Sequence, residues 1–162
     1  MQRLFTLLSI LILSLLISAP LSASPASNNP IPVQITVLSA ETNKPIPGAT
    51  IEFRQSSDRA AVIATATADA NGSATTSLPK GSYQYLTSAA GMGTVRNYLY
   101  QEGQPKIETK VWLNKAAAIS GRLLDSSGKP LGGFRILVDR LFSTTTDATG
   151  RFRFDNLDAR GH

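Results

Sequence analysis

Three aromatic residues near the middle of the chain, Tyr98, Tyr100 and Trp112, have the type and spacing to stack on a sugar ring. Tyr98 and Tyr100 stand two apart, so an extended strand puts both rings on one face. Trp112 sits between Val111 and Leu113, and the same alternation turns it away from them. Rings with an apolar face and a polar tip suit carbohydrate, and they equally suit the rim of a core with their hydroxyls in water. Catalytic chemistry is sparse by comparison. There is no Cys, and the single His is the final residue, His162. That excludes thiolate metal sites, Cys nucleophiles and redox pairs. It also leaves no means of building a Ser-His-Asp triad or a histidine-rich zinc site within these residues. Asp155 and Asp158 have the makings of a hydrolytic pair, but a turn after a strand explains them more simply. Asp147, Asp155 and Asp158 lack the spacing of an EF-hand loop. Lys110 and Asn97 lack an acid partner for an isopeptide crosslink. No cofactor and no metal are expected.

The elements that would position these side chains are strands. In VQITVLS (33–39) and ATIEFR (49–54) apolar and polar residues alternate with period two. AVIATATA (61–68), SATTSL (73–78), YQYLTSA (83–89), TVRNYLY (94–100) and IETKVWL (107–113) follow the same rule. No helical period competes with them. The punctuation is equally strong: NKPIPG (43–48), DANGS (69–73) and AAGMG (89–93) are turn sequences. Asn71-Gly72 between alternating runs predicts a type I′ hairpin. Seven short strands in this pattern predict an all-β, seven-stranded antiparallel β-sandwich.

The N-terminus stands apart. Arg3 precedes an uncharged run from Leu4 to Ile17, which Pro20 ends before small residues appear. This is the layout of a signal peptide spanning 1–26, cleaved after Ala23 or Ala26, with 27–32 as a leader. An uncleaved membrane anchor is the alternative, and would be the chain's sole membrane contact. Export to the periplasm, cell surface or medium follows from either. The formal charge of +5 is carried by basic residues scattered singly along the sequence, unlike the concentrated stripe of a nucleic-acid protein. No nucleic-acid partner is expected.

After the linker 114–118 the grammar restarts. ITVLSAETNKPIPGATIEF (35–53) is echoed by ISGRLLDSSGKPLGGFRILV (119–138), and ATADANGSATTSLPKGSY (66–83) by TTDATGRFRFDNLDARGH (145–162). Pro45, Gly48, Asp69 and Gly72 find counterparts in Pro130, Gly133, Asp147 and Gly150. Residues 33–113 read as one whole domain, and 119–162 as a truncated second copy of about four strands, near 119–125, 134–140, 141–146 and 150–154. Such a copy would expose an apolar face and open edges, making it marginal, packed on the first domain, or completed by a partner strand.

KPLGGFRILV followed by TTDATGRFRFDNLDARG resembles the signature of carboxypeptidase regulatory-like domains, the transthyretin-like β-sandwiches that accompany metallocarboxypeptidase catalytic domains. The first copy matches through Lys44 to Ala49, Asp69, Gly72, Leu78, Gly81 and Tyr83. It departs where Gly-x-Phe-x-Phe becomes Gly72-Ser73-Ala74-Thr75-Thr76. The resemblance implies a sandwich whose matched Gly, Pro and Asp residues are structural turn residues. With no catalytic sequence present, it implies a non-enzymatic module. Three roles are open: a spacer or protein-interaction module at the bacterial envelope, a carbohydrate-binding module using Tyr98, Tyr100 and Trp112, or an accessory part of a larger peptidase or surface receptor. The partner would be an envelope protein or a polysaccharide.

Overall fold

The computed structural model describes residues 29–58, 61–138 and 141–159. The signal-peptide reading of 1–26, the start of the leader, and His162 lie outside the described residues. Among the described residues, no helix is long and apolar enough to cross a membrane. The first unit contains β1 (Ile31–Ser39), β2 (Thr50–Gln55), β3 (Ala64–Thr67), β4 (Ser73–Leu78), β5 (Gly81–Ser88), β6 (Val95–Gln101) and β7 (Ile107–Leu113). They form two sheets, ordered β4-β1-β7 and β3-β2-β5-β6.

Alternation explains which side chains meet between the sheets. Val33, Ile35 and Val37 on β1, Ile51 and Phe53 on β2, Ala74 and Leu78 on β4, Tyr83 and Tyr85 on β5, and Val111 and Leu113 on β7 join one buried cluster. Burying each large apolar member contributes about 1.5–3 kcal/mol relative to exposure. Phe53 and Tyr85 meet at a centroid distance of 5.6 Å, and Tyr83 donates its hydroxyl to the Pro79 carbonyl at 2.7 Å.

The second unit contains β8 (Ala116–Arg122), β9 (Arg135–Val138), β10 (Phe142–Thr145) and β11 (Arg151–Asp158). β8 pairs antiparallel with β11, and β9 antiparallel with β10. These pairs repeat β1 with β4 and β2 with β3, and among the described residues β8 and β9 each have only one neighbour.

Five expectations are corrected. The sandwich is not wholly antiparallel: β1 and β7 run parallel, Val33 beside Ile107 through Ser39 beside Leu113. The whole unit lies between them, which supplies the crossover that parallel pairing requires. DANGS is not a hairpin, because β3 and β4 belong to different sheets. Gly72 takes φ 72° while Asn71 is absent from the positive-φ residues, so the turn is a corner between layers. The linker 114–118 is largely strand: β8 starts at Ala116, with Ala116 beside Asp158 and Ala117 beside Leu157. An alanine run has no periodicity of its own and becomes extended because β11 pairs with it. Asp155 and Asp158 lie within β11 rather than after it, around a register shift between Phe154 and Leu157. β1 also starts early, at Ile31 within the expected leader. Pro32 is accommodated there because the β7 pairing begins only at Val33.

Candidate functional site

The turn residues singled out in the sequence form one hydrogen-bonded corner, built twice. In the first unit Val37 donates its N–H to the Gly72 carbonyl (2.7 Å) and accepts from Ile46 (3.0 Å); Gly72 in turn donates to Asp69 (2.9 Å). In the second, Leu123 donates to Gly150 (2.7 Å) and accepts from Leu131 (3.0 Å), while Gly150 donates to Asp147 (2.9 Å). The Asp69 carboxylate accepts from Asn71 and Ser73 N–H groups, and Asp147 accepts from those of Thr149 and Arg151. Pro45 bridges Leu38, as Pro130 bridges Leu124. Gly48 and Gly133 take φ 73° and 80° and donate to the carbonyls of Ala68 and Thr146, both at 2.9 Å. The Thr149 hydroxyl and then the Arg151 N–H hold the Asp147 carboxyl below the ordinary carboxylate range. The Ser127 hydroxyl and then the Lys129 N–H do the same for Asp125.

The aromatic residues do not form one platform. Tyr98 and Tyr100 are exposed on β6, outside the sheet β3-β2-β5-β6. Trp112 is exposed on β7, outside the other sheet, where its Nε1 donates to Asn43 Oδ1 at 3.1 Å. The alternation placed each ring outward as expected, but Trp112 and the tyrosines belong to different layers. Asn97 and Lys110 are likewise on different sheets. Asp147 is occupied by its turn, Asp155 by Arg153 (2.7 Å) and Asp158 by Asn114 (2.8 Å). Among the described residues, no group of three or more His, Cys, Asp or Glu could hold a metal ion.

One feature went unread in the sequence, and one was read only in outline. The first is the seam between the units. Asn156, at φ 60°, accepts through its carbonyl from the Thr94 N–H at 2.9 Å. Gly93 donates to Asn114, and Ala116 to Gly91. A Cβ on Gly93 would stand 2.6 Å from Leu157 O and Asp158 Cα, so only glycine admits this approach. The second is the unequal closure of the two copies. Ile119 occupies the place of Val33 yet is 51% exposed against 1%, and Phe134 occupies that of Ala49 at 50% against 0%. Strand register and the corner hydrogen bonds pair these residues; the open apolar face was expected of the second copy, but not which side chains stand on it.

Residues 32–110 match the family model of the carboxypeptidase regulatory-like domain. No curated protein matches the chain. Among solved structures it is similar to the Bacillus anthracis TIE protein, at 17% identity and TM-score 0.48, covering 78% of this chain and 27% of that one. A streptococcal ancillary pilin is similar at 17% identity and TM-score 0.44, covering 80% and 50%. The shaft pilin spaA from Lactobacillus rhamnosus GG is similar at 16% identity and TM-score 0.41, covering 79% and 82%. The chain therefore spans half or less of the first two.

Proposed function

We propose, from the premise that residues 32–110 are a carboxypeptidase regulatory-like domain, that the chain is an exported, non-catalytic module of the bacterial envelope. It acts as a spacer whose second unit accepts a strand. The seam supports the spacer role, because hydrogen bonds on both sides of Gly93 replace a flexible linker. The observation that carries the interaction role is the exposure of Ile119 at the position where Val33 is sealed. In the first unit that position lies in the core between the two sheets, and β7 pairs in parallel along β1 beside it. The corresponding edge of β8 has no partner among the described residues. Unpaired edges beside apolar side chains are the surface on which strand addition operates. The partner is accordingly an extended segment with apolar residues at alternate positions.

A synthetic peptide with the sequence of Ile107–Leu113, added in excess to the full chain, tests this reading. Hydrogen exchange of the β8 amides is expected to slow, with no change for a scrambled peptide. Unchanged β8 exchange, or equal slowing by the scrambled sequence, would overturn it.

A further inference from the structure

The basic residues that stand singly in the sequence are gathered by the register of the second unit. Arg151 lies directly opposite Arg122, and Arg153 opposite Ser120. The matching positions of the first unit are neutral: Ser73 opposite Thr36, and Thr75 opposite Gln34. Like charges directly opposite one another on a strand pair repel, so the second copy bears a cost that the first does not. Part of each guanidinium is engaged locally. Arg122 Nε donates to the Thr149 carbonyl at 2.8 Å, and Arg153 pairs with Asp155. Asp147 attracts Arg151.

The residues between these arginines are exchanged as well. Ile35 opposite Ala74 in the first unit becomes Gly121 opposite Phe152 in the second. A Cβ on Gly121 would come 2.6 Å from the Phe152 ring, which therefore lies across the backbone of β8. Here a cleft of about 630 Å³ opens, lined by Ser120, Arg122, Thr144, Arg151, Phe152 and Arg153, with Asp147 as its acidic residue. The counterpart surface of the first unit, at Gln34 and Thr36, is a shallower cleft of about 260 Å³ in which Glu108 and Lys110 balance.

We propose that the cleft of the second unit binds a carboxylated polysaccharide, a polymer of uronic acid residues. A guanidinium presents a planar fork that matches a carboxylate with two parallel hydrogen bonds. Arg122 and Arg151 bring two such groups to the cleft, while the fork of Arg153 already holds Asp155. Ser120 and Thr144 supply hydroxyls for those of the sugar, and the Phe152 ring offers an apolar face to a pyranose. An inorganic anion would need the charge alone; the ring and hydroxyls beside it point to a sugar acid. The cleft shares Ser120 and Arg122 with β8, whose edge is the one proposed to accept a strand, but uronate binding needs no added strand, so its failure and that of strand acceptance are read separately.

Calorimetric titration of the full chain with oligogalacturonate tests it, with the methyl-esterified oligomer as an uncharged counterpart of the same shape. The acid form is expected to bind, more weakly as salt rises, and the ester not at all. Arg122→Gln with Arg151→Gln should weaken binding about tenfold or more. Phe152→Leu should weaken it less, and Tyr98→Ala should leave it unchanged. Equal binding of acid and ester, or binding of polyphosphate or duplex DNA as tight as that of the uronate, would overturn the proposal. So would the absence of uronate binding at low salt. The comparison of acid with ester uses the unaltered chain, so it decides even if the arginine variants fold poorly.

Discussion

The corner glycines separate two costs that usually arrive together. Gly48 and Gly72 have nearly the same dihedral, φ 73° and 72°, but different surroundings. A Cβ at Gly48 would meet nothing within 4 Å, whereas one at Gly72 would stand 2.6 Å from the Val37 carbonyl oxygen. Gly48→Ala should therefore cost only the left-handed conformation, about 1–2 kcal/mol. Gly72→Ala should cost about 1–3 kcal/mol more, as overpacking does in a closed interior. Urea melts of the two variants check this, and equal midpoints would mean that the corner yields. Much of this was readable in the residues themselves. Asp69 and Gly72 announce a turn through an acceptor side chain and a missing β-carbon. Which sheet the next strand joins is not written locally, and the hairpin expected at Asn71-Gly72 failed for that reason. The same gap separated Trp112 from Tyr98 and Tyr100. Alternation gives the face of a strand, while its layer depends on pairing with distant segments.

At the scale of elements, β11 serves two partners. Its first half pairs with Ile119 through Arg122 on β8; past the register shift, it pairs with Ala116 and Ala117 and reaches the loop before β6. The expected linker becomes a strand only because β11 lies beside it, so composition alone could not reveal it. The closest approach is at Gly93, with Leu157 O and Asp158 Cα at 2.6 Å from a notional Cβ. Both are backbone atoms, which cannot swing aside as a flexible side chain can. Gly93→Val is expected to force the end of β11 off the first unit and break the Thr94–Asn156 and Asn114–Asp158 hydrogen bonds. Amide exchange at 156–158 should rise about tenfold or more, the equivalent of about 1.4 kcal/mol, while the β2–β5 pairing keeps its protection. If exchange at 156–158 is unchanged, the seam is not what orders the end of β11. Asn114→Ala removes one side-chain hydrogen bond and should have a smaller effect, about 0.5–1.5 kcal/mol.

Across the whole molecule, one chain design is used twice with unequal closure. The duplication was legible, because the spacing of Pro45, Gly48, Asp69 and Gly72 recurs at Pro130, Gly133, Asp147 and Gly150, and the hydrogen bonds of the two corners correspond. The open apolar face of the second copy was legible too; which residues meet across its strands appears only in the register. Ile35, fully buried in the first, is replaced by Gly121, and Ala74 by Phe152, whose ring packs edge-on to Phe154 at 6.0 Å. Phe134, Leu137 and Ile119 remain exposed. Apolar groups in water before and after folding contribute little to stability, so the second unit is held by its corner hydrogen bonds, the Phe152–Phe154 contact and the seam. The first unit, with Ile35, Ile51, Phe53, Leu78 and Tyr83 sealed, should outlast it. Native-state hydrogen exchange of the full chain in rising urea should show β9 and β10 opening first. The β8–β11 pair, tied to the seam, should open next, and β1, β2 and β5 only with global unfolding. A single isotherm shared by all these strands would contradict the ranking. It would mean that the seam couples the two units so tightly that the open one draws on the core of the closed one.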